Sequence, residues 1–430
     1  MQTQQHNVPA LRFPEFGEEW ENNELDKYLV QHQQRVESTT EIPVYSSSRG
    51  GLKKQKDYFA GNERSNEGEY GVVPDGFFTY RHMSDDLVFK FNRNILGHSI
   101  AVSKEYPVFT VSELDPYFLH VWLNNSPHFS RFAAMQKLGG TRTRLYYKTL
   151  KTLKLNLPPL PEQQKIASFL SSVDSKIEQL GKKKALLEQY KKGMMQKLFS
   201  QALRFTPQGD ANIAGASKES ERNSFPDWEE RRLGEFYEFK STNSLSRDKL
   251  SYDKGSVRNI HYGDIHTKFK PVFDMPKEDV PFINSNVDLS GISEDKYCQH
   301  GDLVIADASE DYDDIGKTIE LTNLNGEKVL AGLHTLLARL TSENIHIGFG
   351  AFVMACAPVR KQIKVIAQGT KVLGISANRM AKIKLPMPCS EEQQKIANFL
   401  SSIDRKIDLV STELNHAKTF KKGLLKQMFI

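Results

Sequence analysis

Two carboxylates and a lysine in the second half of the chain have the residue types of a metal-dependent nuclease. Asp227 follows Pro226, and further along Glu238 and Lys240 are separated by one residue. In nucleases such a set holds Mg²⁺ at a phosphodiester, where the metal polarises the phosphate and activates water. The pattern is short and common by chance, and the first half has no Glu-x-Lys at the matching place. A stand-alone nuclease is therefore an alternative hypothesis, tested by Mg²⁺-dependent cleavage with the purified chain.

Other catalytic and cofactor motifs are absent from the sequence. There is no Gly-x-x-x-x-Gly-Lys-Ser/Thr phosphate loop, so no ATP site is expected. The three cysteines form no Cys-x-x-Cys pair and the 12 histidines are scattered, so neither a disulfide framework nor a metal site is expected. We therefore expect no catalytic residue, metal or cofactor in this chain.

Basic residues are concentrated in one part of each half of the chain. Residues 87–160 carry 10 Lys and Arg against 3 Asp and Glu, and residues 329–389 carry 8 against 1. Two matched basic segments favour binding of a polyanion, and double-stranded DNA is the first candidate. For each single residue, an exposed salt bridge is an equally good interpretation. The DNA-binding candidates are Arg81, Lys137, Thr141, Arg142, Arg144, Tyr147 and Lys148 in the first half and Thr370, Lys371, Arg379 and Lys382 in the second.

A long segment occurs twice in the chain. Residues 162–199 and 392–429 align without a gap at an offset of 230, with 17 of 38 positions identical. The residues between the two copies are largely dissimilar. The repeat predicts two half-molecules in tandem, each a globular domain followed by one long helix.

The apolar residues of both copies follow an alternating spacing of four and three. Such heptads predict a coiled coil, and at about 1.5 Å per residue each helix would be about 57 Å long. A helix packed on its own domain is the simpler alternative, but the stripe is too long for one domain to cover. We expect the two helices to pack antiparallel on each other, with Gly193 and Gly423 marking a close approach or a helix end. The predicted seam is Ile166, Leu170, Val173, Ile177, Leu180, Leu187 and Leu198, with Ile396, Leu400, Ile403, Ile407, Val410, Leu414 and Leu424.

The sequence between the helices predicts mixed α+β domains. Strands are expected at 87–91 and 303–305 and a helix at 116–124, broken by turn residues. The domain starts, Phe13-Pro14 and Phe225-Pro226, align with each other. The predicted domains are 1–160, a helix at 161–200, a polar linker at 201–224, a second domain at 225–388 and a helix at 389–430.

These repeated residues resemble a known family. Leu157-Pro-Pro-Leu-Pro-Glu-Gln-Gln-Lys-Ile-Ala167 and its copy around Glu392-Gln-Gln-Lys-Ile-Ala397 are similar to the conserved helical regions of type I restriction–modification specificity subunits. Arg12-Phe-Pro-Glu-Phe16, His261-Tyr-Gly-Asp-Ile265 and His300-Gly-Asp-Leu-Val304 are similar to recurrent family stretches. The resemblance covers essentially the whole chain.

The resemblance implies a fold and a function. The fold would be α+β, with two target-recognition domains in pseudo-two-fold arrangement joined by a long antiparallel two-helix coiled coil. Each domain would read one half of a bipartite DNA sequence, and the helices would set the spacer and dock two methyltransferase subunits. Those subunits would use S-adenosylmethionine to methylate adenine, and restriction or translocase subunits would add ATP- and Mg²⁺-dependent cleavage. The chain itself would be a non-catalytic specificity subunit.

The sequence shows no signal for export or for membrane insertion. The N-terminus has no apolar signal region and no stretch approaches the roughly 20 apolar residues of a membrane span. We expect a cytoplasmic protein without a membrane partner. A third hypothesis, a structural coiled-coil protein with no DNA role, predicts no salt-sensitive binding to duplex DNA.

Overall fold

The computed structural model describes residues 8–59, 68–137, 141–208, 211–213 and 224–429. The chain divides into two compact units, unit 1 (residues 1–182 and 411–430) and unit 2 (residues 183–410). Two long helices, α5 (Leu160–Phe199) and α10 (Ser390–Met428), each begin in one unit and end in the other. Among the described residues, no helix is both long and apolar enough to cross a membrane.

Unit 1 is a mixed α/β domain built mainly from short antiparallel strands. Its largest sheet has the strand order β2-β11-β7-β9, and a second sheet has the order β10-β6-β3. The strands are β1 Glu21–Glu24, β2 Leu29–His32, β3 Arg35–Glu37, β4 Tyr45–Ser48, β5 Gly51–Lys54, β6 Glu69–Val73, β7 Phe78–Tyr80, β8 Met83–Ser84, β9 Phe91–Arg93, β10 Ile100–Ser103, β11 Val108–Val111, β12 Thr143–Arg144 and β13 Lys154–Leu157. The helices are α1 Gln55–Tyr58, α2 Pro116–Asn125, α3 Pro127–Met135, α4 Tyr147–Lys151 and the first part of α5 Leu160–Phe199.

Aromatic residues dominate the core of unit 1. Phe78 and Phe109, from adjacent strands, stack with ring centroids 5.1 Å apart, and each such ring stabilises the fold by about 1.5–3 kcal/mol when fully buried. Helix α2 packs on this core. Its start is set by Pro116 in the first turn and by Asp115, whose carboxylate accepts from the Phe118 N–H at 2.8 Å.

Unit 2 repeats the mixed architecture with a larger sheet. Its five-stranded sheet has the order β17-β26-β22-β24-β20, and a four-stranded sheet has the order β18-β21-β19-β25. The strands are β14 Leu203–Phe205, β15 Ala211–Ile213, β16 Glu229–Arg232, β17 Tyr237–Lys240, β18 Leu250–Ser251, β19 Val257–Ile260, β20 Val272–Asp274, β21 Phe282–Ile283, β22 Leu303–Ala306, β23 Ala308–Ser309, β24 Thr318–Asn323, β25 Lys328–Ala331, β26 Thr335–Leu340, β27 Leu373–Gly374 and β28 Lys384–Met387. The helices are α6 Tyr262–Thr267, α7 Gly350–Ala355, α8 Ala357–Ile366, α9 Ala377–Met380 and the first part of α10 Ser390–Met428.

The two units follow one plan. The antiparallel pairs β1–β13, β2–β11 and β8–β12 of unit 1 correspond to β16–β28, β17–β26 and β23–β27 of unit 2. The helix pair α2–α3 likewise corresponds to α7–α8. The predicted fold class, α+β with two mixed domains and a long helix after each, is confirmed.

The long helices run antiparallel within each unit. In unit 2, Arg204, just after the end of α5, contacts Glu392 at the start of α10, whereas Lys191 contacts Asp404 further along, at 2.6 Å. In unit 1 the equivalent pair is Lys421 with Asp174, at 2.5 Å. Because both partners are shifted by the repeat offset of 230, the same ion pair occurs twice with the two helices exchanged.

The predicted seam positions differ in burial from the rest of the helix surface. All fourteen are buried or half-buried, whereas Lys182, Glu188 and most other charged positions are exposed. The expectation for the two glycines was wrong. A Cβ at Gly193 or Gly423 would have no heavy atom within 4 Å, and both lie inside their helices, so they mark neither a close approach within the chain nor a helix end.

One short element was predicted at the wrong place. The strand expected at 87–91 begins only at Phe91, because Leu87 adopts a left-handed conformation with φ 68° and the chain turns there. The helix expected at 116–124 and the strand expected at 303–305 are confirmed, each with one further residue.

Candidate nucleic-acid interface

The pairing of β8 with β12 brings several predicted DNA-binding residues of unit 1 together. Arg144 lies opposite Met83 in this pair, and the ring of Tyr146 stacks on His82, with centroids 5.5 Å apart. Burial lowers the pKa of His82, Glu105 offsets part of this effect, and the charges of Arg144 and Arg81 lower the pKa again. The imidazole therefore stays neutral at neutral pH and adds no charge to this surface.

A cleft of about 410 Å³ opens beside this group. Parts of the chain that are distant in sequence line it, and they are residues 31–35, 104–108 and 146–147 together with Gly71. The hydroxyl of Tyr147 is buried and has no hydrogen-bond partner among the described residues. Burial, with a smaller effect of Asp26, raises the pKa of Tyr147 to about 12, so the hydroxyl stays a donor.

Most of the predicted cations of unit 1 are free to meet phosphate. Arg81, Lys137, Arg144 and Lys148 are exposed, and no carboxylate of the described residues lies within 4.0 Å of any of them. Arg142 is the exception, because its Nε lies 3.0 Å from Asp85 in a pair that is more than half exposed on both sides. Such pairs contribute about 0–1 kcal/mol, so a phosphate can replace the carboxylate. Thr141 is exposed, while Gly139 and Gly140 before it lie outside the described residues.

The predicted residues of unit 2 lie on a tight loop and a short helix. Gln368 and Gly374 exchange backbone hydrogen bonds of 3.0 and 2.7 Å, which close the loop that presents Thr370 and Lys371 to solvent. Gly369 is required there, because its φ is 133° and a Cβ would lie 1.9 Å from the Val372 carbonyl oxygen.

The remaining two predicted residues of unit 2 are also exposed. Arg379, on α9, donates from Nη1 to the Ile366 carbonyl at 3.1 Å, and Lys382 follows the helix. Neither they nor Lys371 have a carboxylate within 4.0 Å in the described part of the chain. Unit 2 therefore also presents uncompensated positive charge.

Unit 2 has a polar cluster next to this loop that the sequence did not indicate. The Ile375 N–H donates to the Asp307 carbonyl at 2.9 Å, and Asp307 lies 3.6 Å from the exposed imidazole of His334. The Tyr262 ring meets His334 edge to face at 5.3 Å. Burial raises the pKa of Asp307, partly offset by His334. This cluster occupies the position in unit 2 that the stacked pair of His82 and Tyr146 occupies in unit 1.

A buried ion pair attaches each domain to the start of a long helix. In unit 1, Arg12 donates from Nε and Nη2 to the two oxygens of Glu162, both at 2.7 Å, and Trp20 donates to the same carboxylate at 3.4 Å. In unit 2, Arg204 and Trp228 make the same contacts to Glu392. Both glutamates are fully buried.

The ring contacts next to these pairs correct one sequence alignment. Phe13 meets Phe169 at 5.8 Å, and Phe205 meets Phe399 at 5.6 Å, where 399 is the repeat equivalent of 169. The counterpart of Phe13 is therefore Phe205 and not Phe225. Arg204 and Phe205, in the range assigned to the linker, pack in unit 2. The Arg-Phe dipeptide occurs at residues 12–13 and 204–205, and this repetition indicates the correct alignment of the two domain starts.

The nuclease pattern does not form a cluster. Lys240 pairs with Glu238 itself at 2.9 Å, and Asp227 is fully exposed beside Arg204. Among the residues that the structure describes, no group of three or more His, Cys, Asp or Glu side chains could hold a metal ion.

The sequence also missed the polar residues that line the unit 1 cleft. Gln31, His32, Gln33 and Gln34 form an uninterrupted run of amide and imidazole side chains directly after a short apolar stretch. Such a run at the end of a strand indicates a polar binding surface, but it carries no charge and therefore does not contribute to the basic segments.

Comparisons with known proteins agree on one family. A family model described as the type I restriction modification DNA specificity domain matches residues 92–189 and 226–419. A curated protein of Methanocaldococcus jannaschii, which bears the name of the MjaX specificity subunit of a type I restriction enzyme, is 23% identical and aligns over 98% of this chain and 95% of its own length. The MjaVIII specificity subunit of the same organism is 27% identical over 65% of this chain and 61% of its own length. The crystal structure of a type I restriction-modification S subunit from M. genitalium has the same fold, with a TM-score of 0.59, 15% identity and coverage of 98% and 99% of the two chains.

Proposed function

This chain belongs to the type I restriction–modification DNA specificity family and serves DNA target recognition, and we propose that each of its two units reads one half of a bipartite target. The observation that carries this proposal is the repetition of one plan with uncompensated cations at the same place in both units. Arg144 is the second residue of β12 in the β8–β12 pair, and Lys371 lies two residues before β27 in the equivalent β23–β27 pair. Phosphate contacts by these cations would position each unit on the duplex.

The long helices are proposed to set the length of the unspecific spacer. Helix α5 has 40 residues and α10 has 39, and each belongs to both units without interruption. At about 1.5 Å per residue such a helix extends for roughly 60 Å, more than one turn of DNA, which is about 34–36 Å. A rigid element of this length suits the measurement of distance along a duplex.

Methyltransferase subunits are proposed to dock on the helices, one at each unit. Tyr190 and Phe420, equivalent in the repeat, are apolar rings that are about half exposed. Gly193 and Gly423 lie one helical turn further on and leave open space where a Cβ would be. Exposed aromatic residues beside bare backbone are typical of a protein interface. Because this surface occurs twice, two methyltransferase copies are expected.

The roles of the partner subunits complete the proposal. The methyltransferases would bring S-adenosylmethionine and methylate adenine, and restriction subunits would bring ATP- and Mg²⁺-dependent cleavage. This chain would contribute recognition without catalysis, in a cytoplasmic complex on DNA.

The central test is the methylation motif. The chain is co-expressed with its methyltransferase subunits in a host that lacks adenine methylation, and modified bases are mapped across the genome. The expected result is methylated adenine in two short half-sites with a fixed gap. Removal of one heptad within residues 182–196 should change the gap or abolish methylation and leave both half-sites unaltered. A continuous motif, or a changed half-site after the deletion, contradicts the proposal.

The docking surface has its own test with a matched control. Gly193→Leu should favour the helix but occupy the open space, so co-purification of methyltransferase should fall. Gly181→Leu adds the same side chain at another helical glycine with open space, one that the second copy lacks. Equal loss in both variants, or no loss in Gly193→Leu, argues against this surface.

A further inference from the structure

Unit 1 has a run of glutamine side chains without hydrogen-bond partners among the described residues, at the end of β2 and in the connection to β3. Gln31, Gln33 and Gln34 are exposed, and their side chains make no hydrogen bond to any described residue. His32, between them, is half-buried with its Nε2 atom fully buried and unpaired among the described residues. Four neighbouring side chains therefore offer donors and acceptors that the domain itself does not use.

These residues form one wall of the cleft described above. Tyr106, Tyr146 and Tyr147 also line it. The buried Tyr147 hydroxyl and the His32 Nε2 atom both belong to lining residues and both lack a partner in the part of the chain that the structure describes. Buried polar atoms are nearly always paired in folded proteins, so these two atoms mark a part of unit 1 whose hydrogen bonds the domain itself does not complete.

The surrounding charge fits a nucleic acid. Lys104 is exposed, and no carboxylate of the described residues lies within 4.0 Å of it. Arg35 pairs with Glu69 at 2.9 Å in an exposed contact of little strength. Glu105 is the carboxylate that lines the cleft beside these two cations, so the three charges leave a net positive rim. Arg81 is exposed and directly precedes His82, whose ring stacks on the cleft residue Tyr146. Cations at the rim can hold the DNA backbone while neutral groups inside meet the bases.

The hydrogen-bonding groups of a glutamine side chain favour adenine among the four bases. A glutamine side chain carries a carbonyl and an NH₂ group side by side, which match the N6 donor and N7 acceptor of adenine in the major groove. Because this inference rests on the proposed function, it concerns the half-site of unit 1. We infer that Gln31, Gln33 and Gln34 read base edges of that half-site, with at least one adenine among the bases read.

Unit 2 has different groups at the matching place. Ser241, Thr242 and Asn243 follow β17 as Gln33, Gln34 and Arg35 follow β2. Thr242 already donates to the Thr335 carbonyl at 3.0 Å, and Asn243 to the Ala331 carbonyl at 2.9 Å. The amide run is thus particular to unit 1, and its replacement should affect one half-site only.

The test maps methylated bases for variants of the co-expressed complex. Gln31→Ala, Gln33→Ala and Gln34→Ala are made singly, and at least one should relax the preference at one base pair of one half-site by on the order of tenfold. The other half-site and the gap should not change. Gln179→Ala, an exposed glutamine on α5, is the matched control and should leave the motif as it was.

The outcomes separate this inference from the proposed function. Absence of any bipartite motif in the unaltered complex refutes the proposed function, and with it the premise of base reading. A normal motif in the unaltered complex that persists in all three variants refutes the base-reading role alone. Loss of methyltransferase co-purification in these variants would assign the segment to a protein contact and would also overturn the inference.

Discussion

Arg204 donates two hydrogen bonds to Glu392, from Nε at 3.2 Å and from Nη2 at 2.8 Å, at the buried start of α10. The carboxylate also accepts from the Trp228 indole at 2.8 Å. Trp20 follows Arg12 by eight positions, whereas Trp228 follows Arg204 by 24. Arg204 and Trp228, which flank the polar segment in the sequence, therefore both belong to the second domain and contact the same carboxylate.

This arrangement predicts a large loss of stability when the carboxylate is removed. Glu392→Ala removes the counter-charge of the largely buried Arg204 guanidinium and the acceptor of the part-buried Trp228 indole N–H, which costs up to about 3–5 kcal/mol. The measurement is the urea midpoint of unfolding. Glu178→Ala is the control, because Glu178 forms only an exposed pair with Lys182 at 2.6 Å, worth a few tenths of a kcal/mol. Equal shifts in the two variants would show that the buried pair does not secure the domain.

A buried carboxylate in unit 2 predicts a specific dependence of stability on pH. Glu320 lies in β24 and accepts from the Gly348 and Ala351 N–H groups, both at 2.7 Å. Burial, only partly offset by these hydrogen bonds, raises the pKa of Glu320 to about 7 from 4.5. Between these values the folded chain binds more protons than the unfolded chain, so the free energy of unfolding falls as pH rises. The loss is complete above about pH 7 and is on the order of 3 kcal/mol.

The comparison with Glu320→Gln isolates this group from other titrating residues. The variant stays neutral at all pH values, so the difference in urea midpoint between it and the unaltered chain should change between pH 5 and pH 8. The unaltered chain should lose stability relative to the variant as pH rises. Parallel curves for the two proteins would mean that Glu320 does not titrate in this range.

The long helices were predictable from sequence, because the heptad spacing of their apolar residues is visible in the order of residues along the chain. The repeat predicted helices over 162–199 and 392–429, and the structure has them at Leu160–Phe199 and Ser390–Met428. The apolar residues at heptad spacing must share one face of a helix whatever packs against it. The strand expected at 87–91 failed because Leu87 takes a left-handed turn that no apolar pattern reveals.

The candidate interface was predictable only in part. Residues 142–148 stood out because their charge is local in sequence. The cleft beside them depends on Gln31–Gln34 and Tyr106 as well, which are brought there by the strand order β2-β11-β7-β9. Such non-local pairing depends on how the sheets fold together, and a single sequence without structure does not specify it.

The free cations of both units predict how DNA affinity responds to salt. Arg144→Ala, Lys148→Ala and Lys371→Ala should each weaken binding to all duplexes similarly and lower the slope of log affinity against log salt by about 0.9, because one phosphate contact is lost. The assembled complex is titrated with labelled duplex by fluorescence anisotropy between 50 and 200 mM salt, a range in which six to ten such contacts change affinity by roughly 10³–10⁵-fold.

Lys182→Ala provides the control, because this lysine on α5 already pairs with Glu178 and belongs to neither basic surface. Its slope should equal that of the unaltered complex. A variant of Arg144, Lys148 or Lys371 with an unchanged slope makes no phosphate contact. If such a variant instead loses affinity for the target sequence alone, its side chain contacts a base and not a phosphate. That result would contradict the assignment of this cation to phosphate contact.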